Sequence, residues 1–68
     1  MGKIFKVVDE NIKKKYFSGQ DVKCIGFKRK DDGGYLAAYQ QKETQIYRFH
    51  ITVKKEGNSI MLGYHLLN

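Results

Sequence analysis

Hydrophobic and polar residues alternate along most of the second half of this chain. From about Val22 the alternation has a period of two, which is typical of strands with one buried face. Three turn-forming stretches interrupt it: Asp31–Gly34, whose central Asp-Gly pair favours a two-residue hairpin loop, Lys42–Glu43, and Gly57–Asn58. The pattern therefore predicts four strands, at about 22–30, 35–41, 44–55 and 59–67.

The N-terminal part of the chain has a different pattern. The segment Lys3–Val8 is rich in β-branched and aromatic residues and predicts a further strand. A helix of about ten residues is expected after it, with Asp9 as the N-cap. Ile12 and Tyr16, four residues apart, form its apolar stripe, and Gly19 is suited to end it.

The three hairpin registers sort the strand residues onto two faces, because residues that stand opposite each other share a face. The helix stripe is expected to cover the more apolar face. The prediction is an α+β fold in a single domain, 1–68. It has a four- to five-stranded antiparallel sheet, a meander of hairpins, with one short N-terminal helix packed on one face. A partly closed small barrel is the alternative. The residues assigned to the core are Ile25, Phe27, Leu36, Ala38, Tyr47, Phe49, Ile51, Val53, Ile60, Leu62, Tyr64 and Leu66.

The charge of the chain favours an acidic partner. Thirteen Lys and Arg residues against seven Asp and Glu residues give a net charge of +6, and four of the acidic residues lie in or beside the predicted turns. The sheet face opposite the core therefore concentrates cations. Cations gain affinity for nucleic acid by releasing counterions from phosphates, and exposed tyrosines offer stacking surfaces for bases. The candidate nucleic-acid-binding residues are Lys28, Lys30, Tyr35, Tyr39, Arg48, His50 and Lys54.

Apolar residues lie among these cations and support a second interpretation. Ile46, Met61 and Leu67 are predicted on the same face, where they suit contact with another protein. In this alternative the chain is a protein-binding regulator or inhibitor of the accessory or mobile-element type. Such a protein acts through its sheet face or an edge strand, and this alternative includes a chain that forms a homodimer. Both hypotheses stay open on the sequence.

Motifs of catalysis and cofactor binding are absent from the sequence. It contains no phosphate-binding loop, nucleophile elbow or zinc pattern, so we expect a protein that is not an enzyme and holds no cofactor. His50 and His65 stand opposite each other in the third hairpin, but no neighbour supplies a third ligand and no metal site is expected. The single cysteine, Cys24, indicates a reducing compartment. No apolar run approaches the roughly 20 residues that cross a bilayer, so a cytoplasmic location without a membrane partner is expected.

Overall fold

The computed structural model describes residues 2–67, and in this range the chain forms one helix followed by four strands. The strands make one antiparallel sheet in the order β1-β2-β3-β4, which does not close into a barrel. The predicted α+β fold, a meander of hairpins with a helix on one face, is confirmed. The elements are α1 (Lys3–Phe17), β1 (Lys23–Arg29), β2 (Tyr35–Lys42), β3 (Gln45–Glu56) and β4 (Ser59–Leu66).

The segment Lys3–Val8 is helical, so the strand predicted there is wrong. Ile4, Val8 and Ile12 recur at every fourth residue and give a stripe that faces the sheet, with Val8 and Ile12 fully buried. Burial of this stripe outweighs the strand preference of its β-branched residues, since local propensity is a weak constraint. Asp9 consequently lies inside α1 and is not its N-cap.

The end of α1 is close to the predicted position. The helix ends at Phe17, and Ser18 takes up the left-handed backbone conformation with φ 49°, one residue before the predicted Gly19. Within residues 2–67, no helix combines the length and the hydropathy that crossing a membrane requires.

The first hairpin closes over a three-residue loop and not over the predicted two-residue loop. The Lys30 N–H donates to the Gly34 carbonyl at 2.8 Å, so these two residues flank the loop. Gly33 supplies the positive φ, 92°, that a three-residue hairpin loop requires. The Asp32 carboxylate accepts the Gly34 N–H at 2.9 Å and stabilises the turn. The β1 residues from Gly26 to Arg29 therefore face β2 residues one position earlier than predicted, and the bulge in β1 makes the difference two positions for Lys23 and Cys24.

The second hairpin also differs by one residue. Its loop is Glu43–Thr44, and a bulge interrupts β2 between Gln40 and Lys42. Together the two shifts reverse the faces of β2, while β3 keeps its faces and β1 keeps them from Gly26 onward. Before the β1 bulge the assignment is wrong: Cys24 lies on the core side, and Ile25, predicted in the core, is 45% exposed. Leu36 and Ala38, predicted in the core, lie on the outer face, which corrects their assignment.

The third hairpin has the predicted register. Phe49 lies opposite Leu66, and His50 lies opposite His65. Gly57 has a φ of 61° whereas Asn58 has no positive φ, which is the combination of a type II′ turn.

The core lies between α1 and the sheet. The Phe17 ring packs edge-on against Tyr47 and Phe49, with ring centroids 5.5 and 6.2 Å apart. Tyr39 is completely buried, and its hydroxyl donates to the Asp9 carboxylate at 2.6 Å. This hydrogen bond satisfies the one polar atom of the tyrosine and ties β2 to α1. The buried residues are Val8, Ile12, Phe17, Ala37, Tyr39, Phe49 and Ile51.

Two identical substitutions in neighbouring residues test the helical assignment of the N-terminal segment. Val8→Ala removes buried methyl groups and should lower the free energy of unfolding by about 2 kcal/mol. Val7 is 46% exposed, so Val7→Ala should leave stability unchanged or raise it slightly, because alanine is the better helix former. Urea unfolding measures the free energy of unfolding of both variants against that of the native chain. A clear loss of stability in Val7→Ala would indicate a strand.

The buried tyrosine also predicts how stability depends on pH. Burial, and next the hydrogen bond to Asp9, raise the pKa of Tyr39 above its ordinary value of 10.0. Above about pH 10 only the unfolded chain ionises this tyrosine, so its contribution to stability is complete below that pH and declines above it. Urea unfolding from pH 8 to 11 should show a steeper alkaline decline in the native chain than in Tyr39→Phe. Parallel declines would contradict the buried environment.

Candidate binding surface on the open sheet face

The sheet face that α1 leaves uncovered is called here the open face. The strand registers place alternate residues of each strand on it. Five of the seven candidate binding residues, Lys28, Lys30, Arg48, His50 and Lys54, lie on this face, and among residues 2–67 its one acidic strand position is Glu56, the last residue of β3. The open face consists of Lys23, Gly26, Lys28, Lys30, Leu36, Ala38, Gln40, Ile46, Arg48, His50, Thr52, Lys54, Glu56, Ser59, Met61, Gly63, His65 and Leu67.

The two candidate tyrosines are on the other side of the sheet, so their predicted placement on the basic face is wrong. Tyr39 is fully buried against α1. Tyr35 is half-buried on the same side and stacks on the Phe27 ring, with centroids 5.1 Å apart. Neither ring can stack on a base that approaches the open face.

The cations of the open face differ in how far they are neutralised. Lys30 lies 3.5 Å from the Asp32 carboxylate, and Lys54 lies 4.0 Å from that of Glu56. Acidic residues of the turns therefore reach back to the cations nearest to them. Lys28 and Arg48 are exposed and form no ion pair with any residue from 2 to 67. Their charges are thus available to a partner, as is the charge of Lys23 at the start of β1, which is exposed and likewise forms no ion pair within these residues.

A polar cluster borders the open face at the first turn. The Lys30 ammonium lies 3.0 Å from Nε2 of His50; since an ammonium only donates, this nitrogen accepts. The hydrogen bond from the Gly34 N–H, helped by the positive charge of Lys30, holds the pKa of Asp32 below its ordinary value of 3.8. The His50 and His65 rings are 6.0 Å apart. In the described part of the chain, no three His, Cys, Asp or Glu side chains are grouped to hold a metal ion.

An apolar groove crosses the open face between Lys28 and Arg48, with a cavity volume of about 260 Å³. Its floor contains Gly26 and Ala38, which stand opposite each other on β1 and β2 and have little or no side chain. Leu36 and Leu67, 36% and 55% exposed, contribute apolar side chains to its lining. The groove is bordered on the open face by Gly26, Lys28, Leu36, Ala38, Arg48 and Leu67, and its lining also includes Phe27, Ala37 and Phe49, whose positions alternate to the core side of the same strands.

Sequence reasoning missed this groove because it assigned Leu36 and Ala38 to the core. Gln40 belongs to the same alternating set, and a glutamine in a predicted strand favours the solvent side. That residue was the sequence feature that could have indicated the correct face of β2. A three-residue loop for the Asp31–Gly34 turn would have led to the same face.

The two sheet edges offer less to a partner than the open face does. The Leu67 N–H donates to the Arg48 carbonyl at 2.8 Å, so by strand alternation the backbone groups of Tyr64 point away from β3. The Tyr16 hydroxyl donates to the Tyr64 carbonyl at 3.3 Å and occupies this edge. At the other edge, the bulge beside Ile25 interrupts β1. Bulges of this kind protect an edge from pairing with another strand.

Comparisons with known proteins give no relative for this chain. No protein-family model, curated protein or solved structure matches it. The functional inference therefore depends on the residues and the geometry of the open face.

Two glycines of the first hairpin, Gly34 and Gly26, predict different effects of the same substitution. A Cβ at Gly34 would lie 2.6 Å from the Ile51 carbonyl oxygen, which is backbone and cannot move aside. A Cβ at Gly26 would lie 3.8 Å from the Ala38 Cβ, an ordinary contact. Gly34→Ala should therefore lower the thermal midpoint by several degrees while Gly26→Ala leaves it near the native value. Equal effects would contradict the register of the first hairpin.

Proposed function

We propose that this chain is a small non-catalytic binding protein that recognises an acidic protein partner through its open face. The observation that supports the proposal most strongly is the apolar groove flanked by Lys28 and Arg48. Uncovered apolar surface beside unpaired charge is typical of protein interaction sites. The cations select an acidic partner, and the aliphatic side chains supply area that becomes dry on binding.

The composition of the open face favours a protein over nucleic acid. None of the nine Phe and Tyr residues lies there, so the stacking surface that single-stranded DNA or RNA uses is missing. Phosphates would meet the cations but would leave Leu36, Met61 and Leu67 in water. A protein partner satisfies both kinds of surface at once.

Charge also disfavours a second copy of this chain on the open face. Two open faces brought together would place Lys28 and Arg48 near the same cations of the other copy. Like charges across an interface are destabilising, and the net charge of +6 adds to the repulsion. An acidic partner of different sequence avoids this penalty.

A fluorescence anisotropy titration tests the proposal. The probe is a fluorescein-labelled peptide with a central leucine and glutamates on both sides, compared with labelled single-stranded and double-stranded DNA and RNA. The native chain should bind the peptide, and Lys28→Glu and Arg48→Glu should each weaken binding by about tenfold or more, because each puts a like charge against the glutamates.

Lys6→Glu is the matched control, because it makes the same change of charge on α1, away from the open face. It should bind nearly as well as the native chain. Salt-dependent binding to DNA or RNA that requires Lys28 and Arg48, without binding to the peptide, would replace the proposal with a nucleic-acid function. Absence of peptide binding, or an equal loss in Lys6→Glu, would overturn it.

A further inference from the structure

We infer that the groove of the open face receives one large apolar side chain of the partner, held between carboxylates that pair with Lys28 and Arg48. This inference rests on the proposed function and specifies the chemistry of the partner. It also assigns Gly26 as the residue that determines specificity, because its missing side chain leaves the groove open.

The size of the groove suits a side chain better than a separate small molecule. Its volume of about 260 Å³ lies just below the roughly 300 Å³ at which pockets for small ligands begin. The central lining comes from Leu36, Ala38 and Leu67, which offer carbon atoms and no side-chain hydrogen-bonding group. An apolar side chain that enters loses no hydrogen bond there and covers surface that is otherwise wet.

The two cations also border the groove, on strands that lie on either side of β2. Lys28 stands opposite Leu36 on β1, and Arg48 stands opposite Ala38 on β3. A partner segment that places an apolar residue over β2 therefore has a cation on each side of it. Acidic residues before and after the apolar residue match this arrangement, and the arginine can hold a carboxylate with two hydrogen bonds.

The glycine in the floor follows the β1 bulge, but neither its backbone conformation nor the space around it requires a glycine. The strands contain two glycines, and at Gly63 a Cβ would lie 2.5 Å from the Thr52 hydroxyl oxygen, so crowding explains that residue. At Gly26 the φ is not in the left-handed region, and a Cβ would make only an ordinary contact with Ala38. Glycine inside a strand is unfavourable, so its presence here indicates a need for open space above it.

A double-mutant cycle tests the inference with the labelled leucine peptide and a second peptide in which alanine replaces the leucine. Gly26→Leu fills the groove, and Thr52→Leu adds the same side chain to the open face outside it. In the native chain, the change from leucine to alanine in the peptide should weaken binding by about tenfold. In Gly26→Leu, leucine-peptide binding should be weak and the same change should have little further effect. Thr52→Leu should behave like the native chain.

The outcomes separate this inference from the proposed function. If both peptides bind the native chain equally well, or if the peptide change has the same effect in Gly26→Leu, the groove does not receive the side chain. The proposed function then stands as long as Lys28→Glu still weakens binding. If neither peptide binds the native chain, both fail. Should Gly26→Leu not fold, as judged by thermal unfolding, Gly26→Ala takes its place with a smaller effect in the same direction.

Discussion

The hydrogen bond between the Tyr39 hydroxyl and the Asp9 carboxylate joins the buried side of β2 to α1, and the orientation of β2 depends on it. A buried hydroxyl without a partner costs about 1 to 3 kcal/mol, so Tyr39 can enter the core only where an acceptor meets it. Asp9 supplies that acceptor from the middle of α1, at 2.6 Å, and its other carboxylate oxygen lies 3.2 Å from the Lys13 ammonium. Successive side chains of a strand point to opposite faces, so the orientation of Tyr39 towards the helix also fixes the orientation of its neighbours on β2.

The same constraint determines which β2 residues lie on the open face. Because Tyr39 and Ala37 face α1, Leu36 and Ala38 must face away, and the single helix of the described chain covers only one side of the sheet. Leu36 and Ala38 then meet Gly26 and the cations of the neighbouring strands, and the groove results. The open face thus follows from the burial of Tyr39 and Ala37 against α1. This burial leaves apolar surface in water beside the unpaired charges.

Much of the fold could be predicted from the sequence, because period-two alternation and turn chemistry are local. The α+β class, the meander and the register of the third hairpin follow from such patterns. The first two loops were each misjudged by one residue. Each error of one residue exchanges the two faces of β2 relative to its neighbour. The two errors cancel between β1 and β3, so Phe27 and Phe49 still share a face, and the wrong pattern shows no inconsistency.

The lengths of the first two loops and the start of α1 could not be predicted because they depend on contacts between residues that are far apart in the sequence. Asp-Asp-Gly-Gly permits loops of two or three residues, and what distinguishes them is which side of β2 the helix covers. The bulge in β2 lies where the Gln41 amide contacts Gln20, beyond the end of α1, a contact that no local pattern indicates. The start of α1 was missed for a similar reason. Ile4 and Val8 favour a strand locally and become helical because the sheet buries their stripe. The candidate site shared the same limits: its cations were found, whereas its groove was not.

The orientation of β2 is the central claim, and nuclear Overhauser contacts between side chains test it most directly. The account predicts contacts between the ring protons of Tyr39 and Phe17, whose centroids are 6.0 Å apart. It also predicts that the Leu36 methyl groups contact residues of β1 and β3 on the open face and none of α1. Contacts from Leu36 to Ile12 or Phe17, with the Tyr39 ring free of contacts to the helix, would contradict it.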